Sequence, residues 1–252
     1  AGVGTNQVGR FDIVVDDDTN QIVEYEWKLI PIDTSIAEPD KQLTEYIESY
    51  KKVVDQKFNT LLCKLAEKHT HPKREIETAL GNLIADTFAE VAECDVALIG
   101  SGSIRTKELG PLVTLGDLRS GFPYDDSLTR FVITGKQLKK IFSHFMRNEN
   151  RDGEGECYQV SKGIEARYDT SKDKLRSLKY KGKLVRSDDI FKMCIQGYHL
   201  NQSKEYLGIT EDDLRLNGES KVISTSIQGV LEESLKNNQN ADVKVEGRLV
   251  FI

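Results

Sequence analysis

Hydrophobic positions recur along the whole chain and change their period several times. Near the start, Phe11, Ile13 and Val15 alternate with polar neighbours, and Tyr25, Trp27 and Leu29 do the same. A period of two predicts two strands. The cluster Asp16-Asp17-Asp18-Thr19-Asn20 between them has turn chemistry, so residues 1–33 read as a β-hairpin. A lone two-stranded ribbon is marginal in water, which predicts that this one is the tail of a preceding domain. After a linker, Thr34 to Pro39, the period changes to three and four. Leu43, Ile47, Tyr50, Val54, Phe58, Leu61 and Leu62 predict a long amphipathic helix from Asp40 to Leu62, either a connector between domains or an ordinary packed helix. Pro39 ahead of it, with Glu45 and Glu48 early in it, suits the positive end of a helix.

Leu80, Leu83, Ile84, Phe88 and Val91 predict a helix over 77–93, and 95–99 is a short apolar strand. Val113 to Leu118 read as a short turn of helix, with Thr114 as its N-cap. A strand over 128–134 leads into a helix opened by Gly135, with Leu138, Ile141, Phe142 and Phe145 inward. Residues 147–156 are polar and contain glycine, which predicts a surface loop. Several short strands follow over 157–200, with turns at Ser171-Lys172-Asp173 and Lys181-Gly182. A last helix is predicted over 222–236 and a closing strand from Asp242 to Ile252. Helices bracketing strands that do not alternate regularly with them imply an α+β fold, a layered α/β sandwich with a mixed sheet flanked by helices.

Composition narrows this reading. The 252 residues fit one large domain or two small ones. A formal net charge of −6 argues against a general nucleic-acid binder but leaves room for a local basic pocket. No apolar run approaches the ~18 residues of a membrane span. The chain opens at Ala1 with neither Met nor an apolar leader, which suggests a processed or excised chain. Cys63, Cys94, Cys157 and Cys194 are widely spaced without a CxxC, and are expected to be separate buried thiols. His69 and His71 form a candidate metal pair with few carboxylates nearby, Glu67 and Glu75. The favoured reading is a solvent-exposed loop.

The most informative local feature is Gly100-Ser101-Gly102-Ser103-Ile104-Arg105, which follows a buried strand. Small side chains let backbone N–H groups approach an anion, and an arginine grips two oxygens at once. Arg74 lies in a basic stretch with Lys73, where a solvated surface charge is the plainer reading. Tyr124 follows Pro123 and Tyr198 follows Gly197, in loop-like surroundings where a ring either stacks on a flat ligand or anchors the loop. No nucleophile–base pair, GxSxG or phosphate-binding Walker loop is found.

Taken in order, these blocks resemble the C-terminal substrate-binding domain of the 5'-nucleotidase family, two-domain bimetallic metallophosphoesterases. The resemblance rests on Arg74 with Leu80-Gly81-Asn82-Leu83-Ile84-Ala85-Asp86, on Gly100 to Arg105, on Phe122-Pro123-Tyr124, on Ile133-Thr134-Gly135, and on Val245-Glu246-Gly247-Arg248. It covers about 70 to 252. Gly4 to Phe11 resembles the last strands of the family's N-terminal domain. The resemblance therefore implies three parts: 1–33 as terminal strands of a missing metallophosphatase domain, 34–66 as a connecting helix, and 67–252 as the substrate-binding domain.

The resemblance also implies roles. Arg74 and Arg105 would hold the phosphate and ribose side of a nucleotide, and Tyr124 and Tyr198 would sandwich its base. Gly100 falls where the family often has Asn or Ser contacting the base. At 201–206 the family has an acidic Gly-Gly-Asp-Gly run that holds the ribose hydroxyls. Here Lys204 stands in place of that Asp, with Glu205 next to it as a possible substitute. A cation accepts no hydrogen bond, which puts ribose recognition in question. The family's catalytic His–Asp pair and its two divalent metals belong to the absent N-terminal domain. This chain is thus expected to bind nucleotide or nucleoside, to partner its own N-terminal domain, and to hydrolyse nothing by itself. Two alternatives stay open: a binding module that kept the fold but lost nucleotide recognition, and a hydrolase for a non-standard phosphoester or sulfur ester. Family members are mostly exported or surface-attached, so an extracellular, periplasmic or cell-surface location is implied.

Overall fold

The computed structural model describes residues 6–151 and 155–252, so Gly4 and Thr5 of the opening block lie outside the described residues. Contacts divide the chain into two units, residues 1–56 and 57–252. In the first, β1 (Gln7–Asp16) and β2 (Gln21–Pro31) pair antiparallel around the predicted turn. Asp16 closes that turn by accepting from the backbone N–H groups of Asp18 and Thr19. Phe11 stacks obliquely on Tyr25 and Trp27, with centroids 5.6 and 6.2 Å apart. These rings are more than half exposed. The helix α1 (Lys41–Phe58) leads onward, and none of its residues is buried. It stops four residues short of the predicted end: Leu61 and Leu62 lie instead in β3 (Leu61–Lys64). Leu62 is buried beside Cys63 while Leu61 is exposed.

The second unit continues through β4 (His69–Thr70), α2 (Ala79–Val91), β5 (Val96–Gly100) and a 3₁₀ turn at Ser101–Ser103. Next come β6 (Glu108–Leu109), β7 (Leu112–Thr114), α3 (Leu115–Gly121), β8 (Leu128–Thr134) and α4 (Gly135–Phe145). The strands β9 (Tyr158–Val160), β10 (Ile164–Asp169), β11 (Lys174–Tyr180), β12 (Lys183–Leu184) and β13 (Ile190–Gln196) follow. The chain ends through α5 (Gly197–Asn201), α6 (Ser203–Tyr206), α7 (Glu211–Arg215), β14 (Lys221–Ser224), α8 (Ile227–Asn237) and β15 (Leu249–Phe251). Thr114 and Thr134 cap α3 and α4 in full capping boxes with Asp117 and Gln137.

The architecture is the expected mixed α/β sandwich. A five-stranded sheet in the order β14-β8-β13-β5-β9 is the centre, and only its β13–β5 pair is parallel. Both faces are covered, so β5 is apolar throughout. Ala97 and Ile99 enter a core built with Leu80, Ile84 and Phe88 of α2 and Leu231 of α8. Val96 and Leu98 enter a second core with Phe142 and Phe145 of α4. That second core extends to a four-stranded sheet, β12-β11-β10-β15.

Four expectations change. Ile223 belongs to β14 rather than to the last helix, which starts after the Ser226 cap. The closing strand shrinks to 249–251, because the N–H groups of Glu246 and Arg248 donate to the buried carboxylate of Glu77 rather than to a ladder. Cys94 and Cys194 are not separate: their sulfurs lie 3.3 Å apart. His69 and His71 are buried, not in an exposed loop. His69 accepts from the Val243 N–H through Nε2, and His71 bonds the Thr78 hydroxyl and the Ser101 carbonyl. Burial holds both imidazoles below their ordinary pKa.

Candidate functional site

A cleft of about 590 Å³ lies at the end of the central sheet where β5 and β13 run out into their following turns. Arg74, Arg105, Tyr124 and Tyr198 all line it. Their four segments are far apart in sequence, and each reaches the cleft for a local reason. The 3₁₀ turn after β5 is pinned by Ser101, whose N–H donates to the Cys157 carbonyl and whose hydroxyl accepts from Gln159. The turn lets Arg105 reach back to donate to the Gly102 carbonyl at 3.2 Å. Arg105 then sits 5.9 Å from the centre of the Tyr124 ring, a cation–π distance. Arg74 approaches the same turn from the stretch before α2, its guanidinium 3.5 Å from where a Cβ on Gly102 would stand.

The two tyrosines are tied together through Asp126. Its carboxylate accepts from the backbone N–H of Tyr198 and from that of Ser127, while its carbonyl accepts from Ile227 at the start of α8. Asp125 accepts from Ser226 and Gln228. Both aspartates are thus occupied in positioning the segment that carries Tyr124. A Cβ on Gly197 would stand 2.4 Å from the Asp126 carboxylate, so the close approach needs glycine. Tyr198 lies in the first turn of the short helix α5 rather than in a loop, and both rings remain about half exposed.

The other expected residues lie elsewhere. Gly100 is buried beneath the ring of His199, and a Cβ there would stand 1.9 Å from Nε2. A side chain at 100 therefore cannot coexist with this His199 placement. Lys204 and Glu205 are exposed on α6 and do not line the cleft. The Glu205 carbonyl instead bonds His144 Nε2 at 2.6 Å.

Sequence reasoning missed Glu156, Gln196, His199 and Asn201, which also line the cleft. Gln196 is buried and accepts from the Gly100 N–H at 3.1 Å. His199 bonds the Tyr158 hydroxyl at 2.9 Å, and burial pushes its pKa down to about 4. It is a neutral floor for the cleft, edge-on to Tyr198. Glu156 Oε2 is buried and, among the described residues, has no hydrogen-bond partner. Burial raises the Glu156 pKa, and the positive fields of Arg74 and Arg105 oppose that rise. Glu156 sits in a polar, aperiodic stretch, so no pattern could have singled it out.

Among the described residues no group of three His, Cys, Asp or Glu could hold a metal ion, and no helix is long and apolar enough to cross a membrane. Those residues do not fit a dimetal centre. What the cleft offers is two guanidiniums, two exposed rings and few free carboxylates. That set suits an anionic ligand with a flat part.

Comparison with known proteins gives the family. The chain belongs to the one described as 5'-nucleotidase, C-terminal domain, whose model matches residues 59–211. It is 30% identical over 138 residues to Endonuclease YhcR of Bacillus subtilis (strain 168), covering 54% of this chain and 11% of that protein. It is 24% identical over 217 residues to a 5'-nucleotidase of Vibrio vulnificus (strain CMCP6), covering 84% of this chain and 37% of that protein. In fold it resembles a 5'-nucleotidase precursor from Thermus thermophilus, with a TM-score of 0.72 and 18% identity over 98% of this chain and 50% of that one. The chain thus spans half or less of these three proteins.

Proposed function

We propose that this domain is the nucleotide-gripping part of a 5'-nucleotidase-type phosphoester hydrolase. The observation that carries the reading is that Arg74, Arg105, Tyr124 and Tyr198 line one cleft. The guanidiniums hold phosphate oxygens, and the two rings take the base between them. Asp126 sets the spacing of the ring-bearing segments by holding the Tyr198 N–H. The ribose then faces the polar lining between arginines and rings, with Glu156 and Asn201 as its candidate partners in place of Lys204 and Glu205.

In this reading β1 and β2 are terminal strands of a metallophosphatase domain and α1 is the connector. The metals and the water they activate belong to that preceding domain. An extracellular, periplasmic or cell-surface location goes with the same reading. Titrating the 252-residue chain with adenosine and AMP tests the grip. Replacing either ring, Tyr124→Ala or Tyr198→Ala, is expected to weaken adenosine binding by ~5–150-fold, from ~1–3 kcal/mol per stacked ring. Unchanged affinity in both variants would overturn the sandwich. The chain alone, supplied with divalent metal, is expected not to release phosphate from AMP, and turnover would place the chemistry here after all.

A further inference from the structure

Arg74 and Arg105 border two cavities, not one. Beyond the cleft, a second cavity of about 320 Å³ opens from the same two guanidiniums and is lined by Lys73 and Lys107 as well, with Glu75 and His71 beside them. The backbone explains the gathering. The strands β4 and β6 pair antiparallel, Thr70 opposite Glu108, and the His71 N–H donates to the Lys107 carbonyl at 2.7 Å. Lys73-Arg74 leaves one strand at the end where Arg105 and Lys107 enter the other. Burial holds the His71 pKa below its ordinary value, so at neutral pH the ring adds little charge.

Four cations therefore face one cavity whose described lining holds a single carboxylate, Glu75, 3.8 Å from Lys73. Several arginines elsewhere in the domain have carboxylate partners: Arg119 has Glu232, Arg176 has Asp169, Arg215 has Glu211 and Arg248 has Asp86. Among the described residues Arg74, Arg105 and Lys107 have no such ion pair. Even with Glu75 in the lining and Glu156 in the adjoining cleft, the four cations leave positive charge in excess, and an anion that enters relieves that excess.

We propose that the outer cavity is a second anion subsite, which makes the preferred ligand a nucleoside polyphosphate rather than a monophosphate. One phosphate is shared by Arg74 and Arg105 at the border of the two cavities, and the next lies between Lys73 and Lys107. A monophosphate leaves those lysines unused. That the base points toward Tyr124 and Tyr198 rests on the function proposed above; the anion subsite itself stands on the cation cluster alone.

The test is calorimetric titration of the full chain, without metal, using phosphate, pyrophosphate, AMP, ADP and adenosine. The wild-type chain is expected to bind pyrophosphate over phosphate, and ADP over AMP, by about ten-fold. In Lys73→Ala/Lys107→Ala that preference falls to about two-fold or less, while adenosine binding is unchanged. The control Lys172→Ala/Lys174→Ala removes the same charge from a distant turn and is expected to keep the preference. A wild-type chain that does not discriminate pyrophosphate from phosphate overturns the subsite. So does a preference that survives in the double variant, or one that the control abolishes equally. Pyrophosphate selectivity lost in Lys73→Ala/Lys107→Ala, in a chain that binds no adenosine, would retain the subsite and remove the nucleotide reading.

Discussion

Arg248 and Arg74 are the same residue type in opposite circumstances. Arg248 is 2% exposed and fully engaged. Its guanidinium grips Asp86 with two bonds of 2.7 and 2.8 Å, reaches Glu246 at 2.9 Å and donates to the Val160 carbonyl at 2.8 Å. Glu77 completes the clamp by accepting from the backbone of Glu246 and Arg248 and from the Asn82 amide. This clamp joins two of the blocks that carried the family resemblance, 80–86 and 245–248, across a sequence separation of 162 between Asp86 and Arg248. Arg74 has no ion pair among the described residues and borders open space. The donors of Arg248 are satisfied within the fold, whereas those of Arg74 face open space, where the proposed ligand would meet them. The contrast separates structure from function better than burial alone, since the buried His199 is a wall of the cleft.

The largest expected effect breaks the clamp. Arg248→Ala leaves Asp86 and Glu246 without their cation, which costs about 3–5 kcal/mol. Urea unfolding of the isolated chain reads this as a large drop in midpoint. A midpoint unchanged from wild type would mean that the clamp is ornamental.

Acid comes next. Burial keeps His199 neutral in the fold, with its pKa at about 4, while in the unfolded chain it titrates near 6.5. The unfolded chain therefore takes up the proton first as pH falls. Stability is whole above about 6.5 and declines toward pH 4, by roughly 3 kcal/mol for this group. His69 and His71, also depressed by burial, act in the same direction. Denaturation midpoints at about pH 7 and about pH 4.5, with His199→Gln flattening the difference, check the sign. A chain equally stable at both values contradicts a neutral buried His199.

Gly100→Ser sharpens the contrast from the cleft side. The new Cβ meets the His199 ring, so overpacking should cost ~1–3 kcal/mol and displace the wall beside Tyr198. Adenosine affinity should fall with stability; a serine that instead improves binding would show that the ring moves aside freely. The smallest effect on stability belongs to Arg74→Ala, expected to change it by about 0.5 kcal/mol or less. Its phosphate and AMP binding should nonetheless collapse. A strong loss of stability there would erase the distinction between the two arginines.

Much of the fold was legible in the chain because local signals agreed with the tertiary outcome. The alternation in 11–15 and 25–29, the Thr114 cap, and the apolar stripe of 80–91 all mark elements that form where expected. The errors fall where long-range bonds override periodicity. Glu77 takes the backbone donors that a strand at 242–248 would have used, and the β3–β7 pairing claims Leu61 and its neighbour Leu62 from the preceding helix.

The cleft divides in the same way. Arg74, Arg105, Tyr124 and Tyr198 were marked by residue type beside small or turn-forming neighbours, and by family resemblance. Glu156, Asn201 and the outer lysines had no local signature, because only the β4–β6 pairing and the end of the central sheet bring them into place. The sequence by itself determined the element order, the apolar faces and the kinds of side chain on offer, since these depend on neighbours a few residues away. Which arginine is engaged and which is free was decided by the tertiary structure alone. That depends on whether a carboxylate far along the chain arrives within hydrogen-bonding reach, as Asp86 does for Arg248.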